Sequence, residues 1–417
     1  MKTNNAKKVR QFILLLFLGL ILIVLTACND KNSANTLVKN NDTKENNWYL
    51  RMADSEIFRK GDSLEYGKSD PGAKWNYQTG LFLKSLLDIW KTTGDKKYFD
   101  YSKKIIDSFL EPDGKIKTYN MEEYNIDKIN SGKVLLSLFK ETNDPEYKKA
   151  SGLLYYQLQN HPRTKEGGFW HKQRYPWQMW LDGIYMGCPF YAEYSKMFDI
   201  PEGFDDVANQ ILVIDVHTRD PKTKLRYHAW DESNKQEWAN PETGCSPNFW
   251  GRAMGWYAMA LIDVLDYLPE DHPKRDKIVF ILKDFYNALV DYQDKENGLW
   301  YQVVDMSDRK GNYPEASASS MFVYAFAKAI NNNILDSSYK QVAEKGYNGI
   351  INNLIKVDDN GLVSLTNICS VAGLGGDPYR DGSFEYYISE PVVSNDLKGV
   401  APFIMAGIQM EKLRQNN

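Results

Sequence analysis

From Trp48 onward, apolar residues return every three or four positions instead of alternating, which is the spacing of helices that bury one face. LFLKSLLDIW (81 to 90) gives way to KTTGD and resumes as YFDYSKKIIDSFL (98 to 110). GKVLLSLFK (132 to 140) gives way to ETNDP and resumes as YKKASGLLYYQL (147 to 158), and the layout returns in segments starting near Asp182, Gly251 and Ala316. Each unit predicts a helical hairpin. Asp113-Gly114, Gly167-Gly168, Asn297-Gly298 and Asn360-Gly361 mark loops between hairpins, each soon followed by aromatic or apolar residues, as in GGFWHK and NGLWYQ. A hairpin repeated about every fifty residues cannot bury its apolar face alone, so the units must stack. An open stack needs polar capping repeats; a closed ring needs none, and the last segment, LKGVAPFIMAGIQM, is apolar almost to the C-terminus. The pattern therefore predicts an all-α fold, an (α/α)6 barrel made by residues 48–417 as one domain, with its Gly- and aromatic-rich loops gathered round one mouth.

The residues before Trp48 carry a different pattern. MKTNNAKKVR is basic, QFILLLFLGLILIV is apolar, and Leu25-Thr26-Ala27-Cys28 resembles the lipobox of bacterial lipoproteins. Residues 1–28 are thus expected to be a lipoprotein signal peptide with Cys28 as the lipidated residue, and residues 29–47 a polar tether too poor in apolar side chains to fold. A retained transmembrane anchor is the alternative, and it fits less well because the apolar run is short and stops at Cys28. The expected location is a membrane-anchored bacterial lipoprotein on the periplasmic or cell-surface side, with the lipid anchor as its link to the membrane.

Composition narrows the chemistry. The 417 residues are 43% hydrophobic and 25% charged, an ordinary globular balance, and the net charge of -4 gives no electrostatic case for nucleic acid. The aromatic content, 13% with 11 Trp and 27 Tyr, suits the faces of sugar rings as well as a core. Beyond Cys28 only Cys188, Cys245 and Cys369 remain, odd in number and far apart, so no disulfide framework is implied. The histidines at 161, 171, 217, 228 and 272 lack metal-ligand spacing, and H-E-x-x-H, paired C-x-x-C, G-x-S-x-G and the P-loop are absent, so neither metal nor cofactor is expected.

One stretch stands out. In YPWQMWLDGIYMGCPFYAEY (175 to 194), Asp182 sits in an apolar and aromatic run that contains no basic residue. An ionised carboxylate there is costly unless paired, hydrogen-bonded or used. MEEYNIDKINSGK places Asp127 just ahead of a helix beginning near Ser131. FWHKQRYPWQMWLDG places His171, Lys172 and Arg174 before Asp182 with Trp170, Trp177 and Trp180 interleaved, LRYHAWDE offers His228, and CSPNFWGRAMGW offers Arg252 between Trp250 and Trp256. All lie at corresponding ends of successive hairpins, so a ring would bring them together. Each has a plainer reading: Asp127 as a helix cap, Asp182 before Gly183 as a turn residue, His228 as a structural histidine, Arg252 as a stacking arginine, Trp250 and Trp256 as core.

Taken together, FWHKQRYPWQMWLDGIYMGCPFYAEY, RYHAWDES, WGRAMGWYAMALIDVLDYLP and FEYYISEPVVSNDLKGVAPF resemble the signature segments of the unsaturated rhamnogalacturonyl hydrolases, glycoside hydrolase family 105. WNYQTGLFLKSL (75 to 86) and YNIDKINSGK (124 to 133) match the family's earlier segments, and the likeness covers the chain after the tether. The related unsaturated glucuronyl hydrolases of family 88 share the barrel and both aspartates but differ around WLDGIYM. The resemblance implies a six-hairpin glycosidase in which Asp182 is general acid and base and Asp127 its supporting carboxylate. It further implies that His171, His228, Trp250, Arg252 and Trp256 line the substrate pocket with Tyr77 at its edge. Met254 stands where a polar residue is frequent in the family.

The implied substrate is an oligosaccharide left by a polysaccharide lyase, ending in a uronic acid with a C4=C5 double bond. Protonation at C4 and water at C5 hydrate that enol ether, and the resulting hemiketal opens and releases the sugar, so the carboxylate-spacing rule for displacement at the anomeric carbon does not apply. Three alternatives remain open at this point: an unsaturated glucuronyl hydrolase, a non-catalytic glycan-binding lipoprotein, and a polysaccharide lyase on the same barrel.

Overall fold

The breaks KTTGD and ETNDP are two versions of one device. In the computed structural model, Gly94 ends the first helix in the left-handed region (φ 75°) and Asp95 at once caps the next by accepting from the Lys97 amide. Asn143 (φ 55°) and Asp144 repeat this, with Pro145 supplying the fixed φ of a first helical position. These two hairpins therefore turn within two residues.

The structure describes residues 47–61, 64 and 74–415. The chain divides into an N-terminal unit ending at Arg51, of which residues 47–51 are described, and a second unit from Met52. The expected signal peptide, Cys28 and all but the last residue of the tether lie outside the described residues. None of the described helices is long and apolar enough to cross a membrane.

Among the described residues the elements are α1 (Trp48–Lys60), then five hairpins: α2 (Tyr77–Thr93) with α3 (Lys96–Phe109), α4 (Gly132–Thr142) with α5 (Pro145–Gln159), α6 (Leu181–Met197) with α7 (Pro201–Thr218), α8 (Gly251–Val264) with α9 (Arg275–Asp291), and α10 (Ala316–Asn331) with α11 (Lys340–Leu354). The short α12 (Phe384–Ser389) and the C-terminal α13 (Leu397–Gln415) follow. Within the second unit α2, α4, α6, α8, α10 and α13 pack each against the next, and α13 returns to α2, so the inner ring closes. The outer members α3, α5, α7, α9 and α11 lie against their hairpin partners. This is the closed α/α barrel, and α13 completes it because its residues from Leu397 to Ile408 are buried.

The connecting loops hold more than turns. Among the described residues they carry four two-stranded antiparallel ribbons: β1 (Leu110–Glu111) with β2 (Lys115–Ile116), β3 (Gln178–Trp180) with β4 (Ala229–Asp231), β5 (Ile355–Val357) with β6 (Val363–Leu365), and β7 (Ile368–Cys369) with β8 (Val392–Val393). Runs of two or three residues are too short to show an alternating pattern in sequence.

Candidate active site

The ribbon of β3 and β4 builds the first half of the site. Trp180 pairs opposite Ala229, and the Leu181 amide donates to the His228 carbonyl at 3.0 Å. This brings His228 to the first turn of α6, where Asp182 stands. His228 Nε2 lies 3.3 Å from Asp182 Oδ2, with the Asp182 side chain 15% exposed and the histidine fully buried. The two are not aligned for a hydrogen bond, so neither atom has such a partner among the described residues. The other ring nitrogen of His228, Nδ1, is 2.8 Å from Tyr387 Oη on α12.

The second half forms on the other side of Trp180. Asp127 occupies a 3-10 turn, Ile126–Ile129, started by Asn125, whose side chain accepts from the Asp127 amide. The cap reading of Asp127 is not what the structure shows: Ser131 stands at the N-cap of α4, while Asp127 Oδ2 meets Lys172 Nζ at 2.6 Å and Oδ1 lies 3.5 Å from His171 Nε2. Burial pushes the Asp127 carboxyl up, but Lys172 and then His171 outweigh it and hold the group below the usual carboxylate range. His171 stacks flat on Trp180 with ring centroids 4.4 Å apart. Its burial lowers the imidazole to about 4 against the pull of Asp127 and Asp182, so the ring is neutral near pH 7 and Lys172 is the cation beside Asp127. Both carboxylates thus act on one imidazole.

Two glycines explain the close fit. A Cβ on Gly183 would lie 3.2 Å from His171 Nδ1, and one on Gly187 would lie 3.0 Å from Ile126 Cδ1. Being four residues apart, they leave a bare stripe on α6 against which the Asp127 turn and the His171 ring rest. Gly183 is therefore a packing requirement inside the helix, and Asp182 is a first-turn residue of α6 rather than part of a turn.

Arg252 is entirely buried at the start of α8. Its guanidinium donates to the carbonyl of Cys369, more weakly to the Ser370 carbonyl at 3.4 Å, and Nε has no hydrogen-bond partner among the described residues. Glu315 accepts from the Cys369 amide at 3.0 Å, so the two charged side chains hold both peptide groups of that residue. Arg252 lies over Trp250, 4.9 Å from the ring centroid. Trp256 instead meets Tyr185 at 5.0 Å and the half-buried Tyr77 at 6.2 Å. Trp250 stacks on Tyr387, and both tryptophans are 1% exposed, as core residues are.

The sequence model of Glycosyl Hydrolase Family 88 matches residues 48–414. A solved structure described as a family 105 glycoside hydrolase from C. acetobutylicum superimposes with a TM-score of 0.84 at 48% identity, covering 88% of this chain and 99% of that one. This chain is a glycoside hydrolase of the family 88 and 105 group. The curated relatives include the unsaturated rhamnogalacturonyl hydrolase YesR of Bacillus subtilis, 29% identical over 312 residues that span 73% of this chain and 83% of the relative. The unsaturated glucuronyl hydrolase from Bacillus sp. GL1 shares the fold, with a TM-score of 0.64 at 14% identity over 87% of this chain and 95% of that one.

In this hydrolase the site residues expected from sequence fall into three contacting sets: Asp182 with His228, Asp127 with His171, and Arg252 with Trp250. Tyr77 and Trp256 form an aromatic layer with Tyr185, one helical turn along from Asp182. Trp177, interleaved with the candidates in sequence, turns outward: it is 41% exposed, left-handed at φ 67°, and packs against Trp170. Met254, where a polar residue is frequent in the family, is fully buried. Sequence reasoning placed Lys172 in the constellation without giving it a role, and did not single out Tyr387 and Glu315. Lys172 had a visible signal, a lysine directly following the candidate His171. Tyr387 is 159 residues from His228, and nothing local marks it.

Proposed function

We propose that the enzyme removes the terminal 4,5-unsaturated uronic acid from lyase-generated oligosaccharides, with rhamnogalacturonan-type disaccharides as its substrates. The observation that carries this reading is the division of labour between two carboxylates in one mouth. Asp127 is held ionised by Lys172 at 2.6 Å, whereas Asp182 keeps Oδ2 uncommitted to any hydrogen bond among the described residues. An ionised carboxylate only accepts, which suits Asp127 to orienting sugar hydroxyls. Asp182 is the group free to exchange a proton with the substrate.

In this reading Asp182 protonates C4, and positive charge develops at C5 and the ring oxygen. Asp182, now a carboxylate, takes a proton from the water that adds at C5, which restores the acid and leaves a C5 hemiketal. Opening of the hemiketal then releases the saccharide from C1. His228, braced through Nδ1 by Tyr387, sets the position of Asp182. Lys172 and Arg252 are the cations at the mouth for the uronate carboxylate, Lys172 by its place beside Asp127 and Arg252 through its remaining Nε. Trp250, Trp256 and Tyr77 shape the pocket. The name of YesR supports the rhamnogalacturonan class of substrate.

We further propose that residues 48–417 act as one catalytic domain anchored to the membrane through a lipid on Cys28, on the periplasmic or cell-surface side. The order of basic, apolar and lipobox residues supports this.

The test uses unsaturated disaccharides made by rhamnogalacturonan, other pectin and glycosaminoglycan lyases, and follows the ultraviolet absorbance of the double bond. Loss of absorbance with the rhamnogalacturonan product is expected. Preference for a glycosaminoglycan product would replace the substrate class, and a rise of absorbance from intact polymer would make the protein a lyase.

A further inference from the structure

The inner helices all start at the catalytic mouth, so their C-terminal halves converge at the other end of the barrel, about 25 Å away for a helix as long as α2. A cavity of about 710 Å³ runs from that end back into the ring as far as Lys133 and Tyr185, near the starts of α4 and α6, and is lined by all six inner helices. That volume is in the range of small-molecule sites. Its wall mixes both signs of charge. Lys84 pairs with Asp88, and Lys328 reaches Asp263 at 2.7 Å and Asp266 at 2.5 Å. Lys133 is different: it is 97% buried, lines the same cavity, and its Nζ has no hydrogen-bond partner among the described residues. Its contact is the face of Tyr185, 3.7 Å from the ring centroid. Two acceptors in the same wall, Glu193 Oε2 and Asn331 Oδ1, are also without a hydrogen-bond partner among the described residues.

A buried lysine nitrogen without a hydrogen-bond partner, buried acceptors lacking donors and tyrosine rings define a ligand by complement. Such a ligand has one carboxylate for the lysine, hydroxyls for Glu193 and Asn331, and a ring face for the tyrosines. We propose that this cavity, which reaches from the far end of the barrel to Lys133 beneath the catalytic mouth, is a second binding site that takes a small hydroxylated carboxylate of the sugar-acid class with Lys133 gripping its carboxylate. Phosphate fits less well, since it brings no hydroxyl-bearing ring for the acceptors and the aromatic wall. Tyr185 joins this cavity to the aromatic layer of the mouth, since it touches Lys133 on one side and Trp256 on the other.

Burial lowers Lys133 to about 7, opposed by Asp263, Glu193 and Asp88 and reinforced by Lys84. A carboxylate bound against it would restore the charge, so binding at pH 8 should take up protons. The experiment is calorimetric titration of the protein at pH 8 with D-galacturonate, with D-galactose and inorganic phosphate as controls, in buffers of different ionisation enthalpy. D-galacturonate is also soaked into crystals of the parent protein. Expected are ligand density in the far cavity with its carboxylate at Lys133, proton uptake with galacturonate but not galactose, and weaker binding of galactose and phosphate. Lys133→Met should weaken galacturonate binding by roughly tenfold to a hundredfold, as loss of a charge-assisted hydrogen bond does, while hydrolysis of unsaturated disaccharides persists. Density only at the catalytic mouth, or none, overturns the proposal, as does galactose or phosphate binding as tightly, or a Lys133→Met protein that binds like its parent. The soak needs no variant, so it decides the matter even if Lys133→Met does not fold.

Discussion

The two ends of the barrel use charge in opposite ways. At the mouth, connections are long, as in residues 219–250 between α7 and α8 or 355–396 between α11 and α13, and they fold back over the helix starts, bringing His228 by a ribbon and Tyr387 by the short helix α12. At the far end, turns such as Gly94-Asp95 and Asn143-Asp144 are two residues long, and the charged groups come from the helices themselves. Asp182 lies in the first turn of α6, where the helix dipole favours an anion, whereas Lys91, Lys328 and Lys412 lie in the last turns of α2, α10 and α13, where it favours cations. The mouth leaves its carboxylate oxygen uncommitted; the far end pairs most of its carboxylates with lysines. Chemistry belongs where groups are left free, and cohesion where they are paired.

The sharpest way to break that contrast is at Asp182. Asp182→Asn should reduce kcat below about a hundredth of the parental value, the low end of what general acid-base catalysis contributes, with thermal stability close to parental because Asp182 Oδ2 makes no hydrogen bond that the amide would lose. Asp127→Asn should also be severe, since the amide cannot pair with Lys172 as the carboxylate does. The double variant should be little worse than Asp182→Asn, as groups acting in one step are not additive. Steady-state kinetics on one unsaturated disaccharide decides this, and an Asp182→Asn enzyme that keeps most of its kcat removes Asp182 from the acid role.

The contrast also explains what could be read from the chain. The hairpins, their turns and the closing helix were legible because each follows from spacing within some fifteen residues and from caps such as Asp95 and Asp144. Asp182 was visible as a carboxylate in an apolar run, and Asp127 as an acid before a helix. The pairings were not visible: Lys172 with Asp127 bridges 45 positions, Arg252 and Glu315 meet at Cys369, and His228 finds Tyr387 across most of the barrel. Local pattern carries no record of such partners. The same holds for Lys133, a lysine near a helix start that the closed ring buries.

A second test works from the other end and should give the opposite result. Lys328 holds Asp263 and Asp266, and although its own burial disfavours the charge, the two aspartates raise its pKa. Lys328→Met strands Asp263 beside the hydroxyl of Tyr324. Removing one member of a buried pair costs about 3–5 kcal/mol, so urea denaturation should show a loss of that order. Turnover by the folded fraction should remain near parental. A stable Lys328→Met protein with poor kcat would erase the distinction between the two ends.

The smallest effect is a difference in pH windows, and it separates the ends without altering the reaction. His171, lowered to about 4 chiefly by burial, is neutral in the folded protein while the unfolded chain protonates near 6.5. Between those values the unfolded state binds more protons, so stability must fall as pH drops from about 6.5 toward 4, by up to about 3 kcal/mol for this group. His161, also lowered to about 4 by burial, adds to the same slope. Asp127 joins only at lower pH, because its depressed value means that its contribution is lost as pH falls through the carboxylate range. Lys133 works in the alkaline window: lowered to about 7 against 10.5 for the free side chain, it makes the unfolded state bind the extra proton there, so its contribution makes stability rise from pH 7 toward 10. Urea midpoints measured from pH 4 to pH 10 should therefore show an acid slope that shrinks in His171→Gln and an alkaline rise that flattens in Lys133→Met. Each variant should leave the other slope in place. If either substitution changes both slopes alike, the two ends titrate as one unit and the separation drawn between them fails.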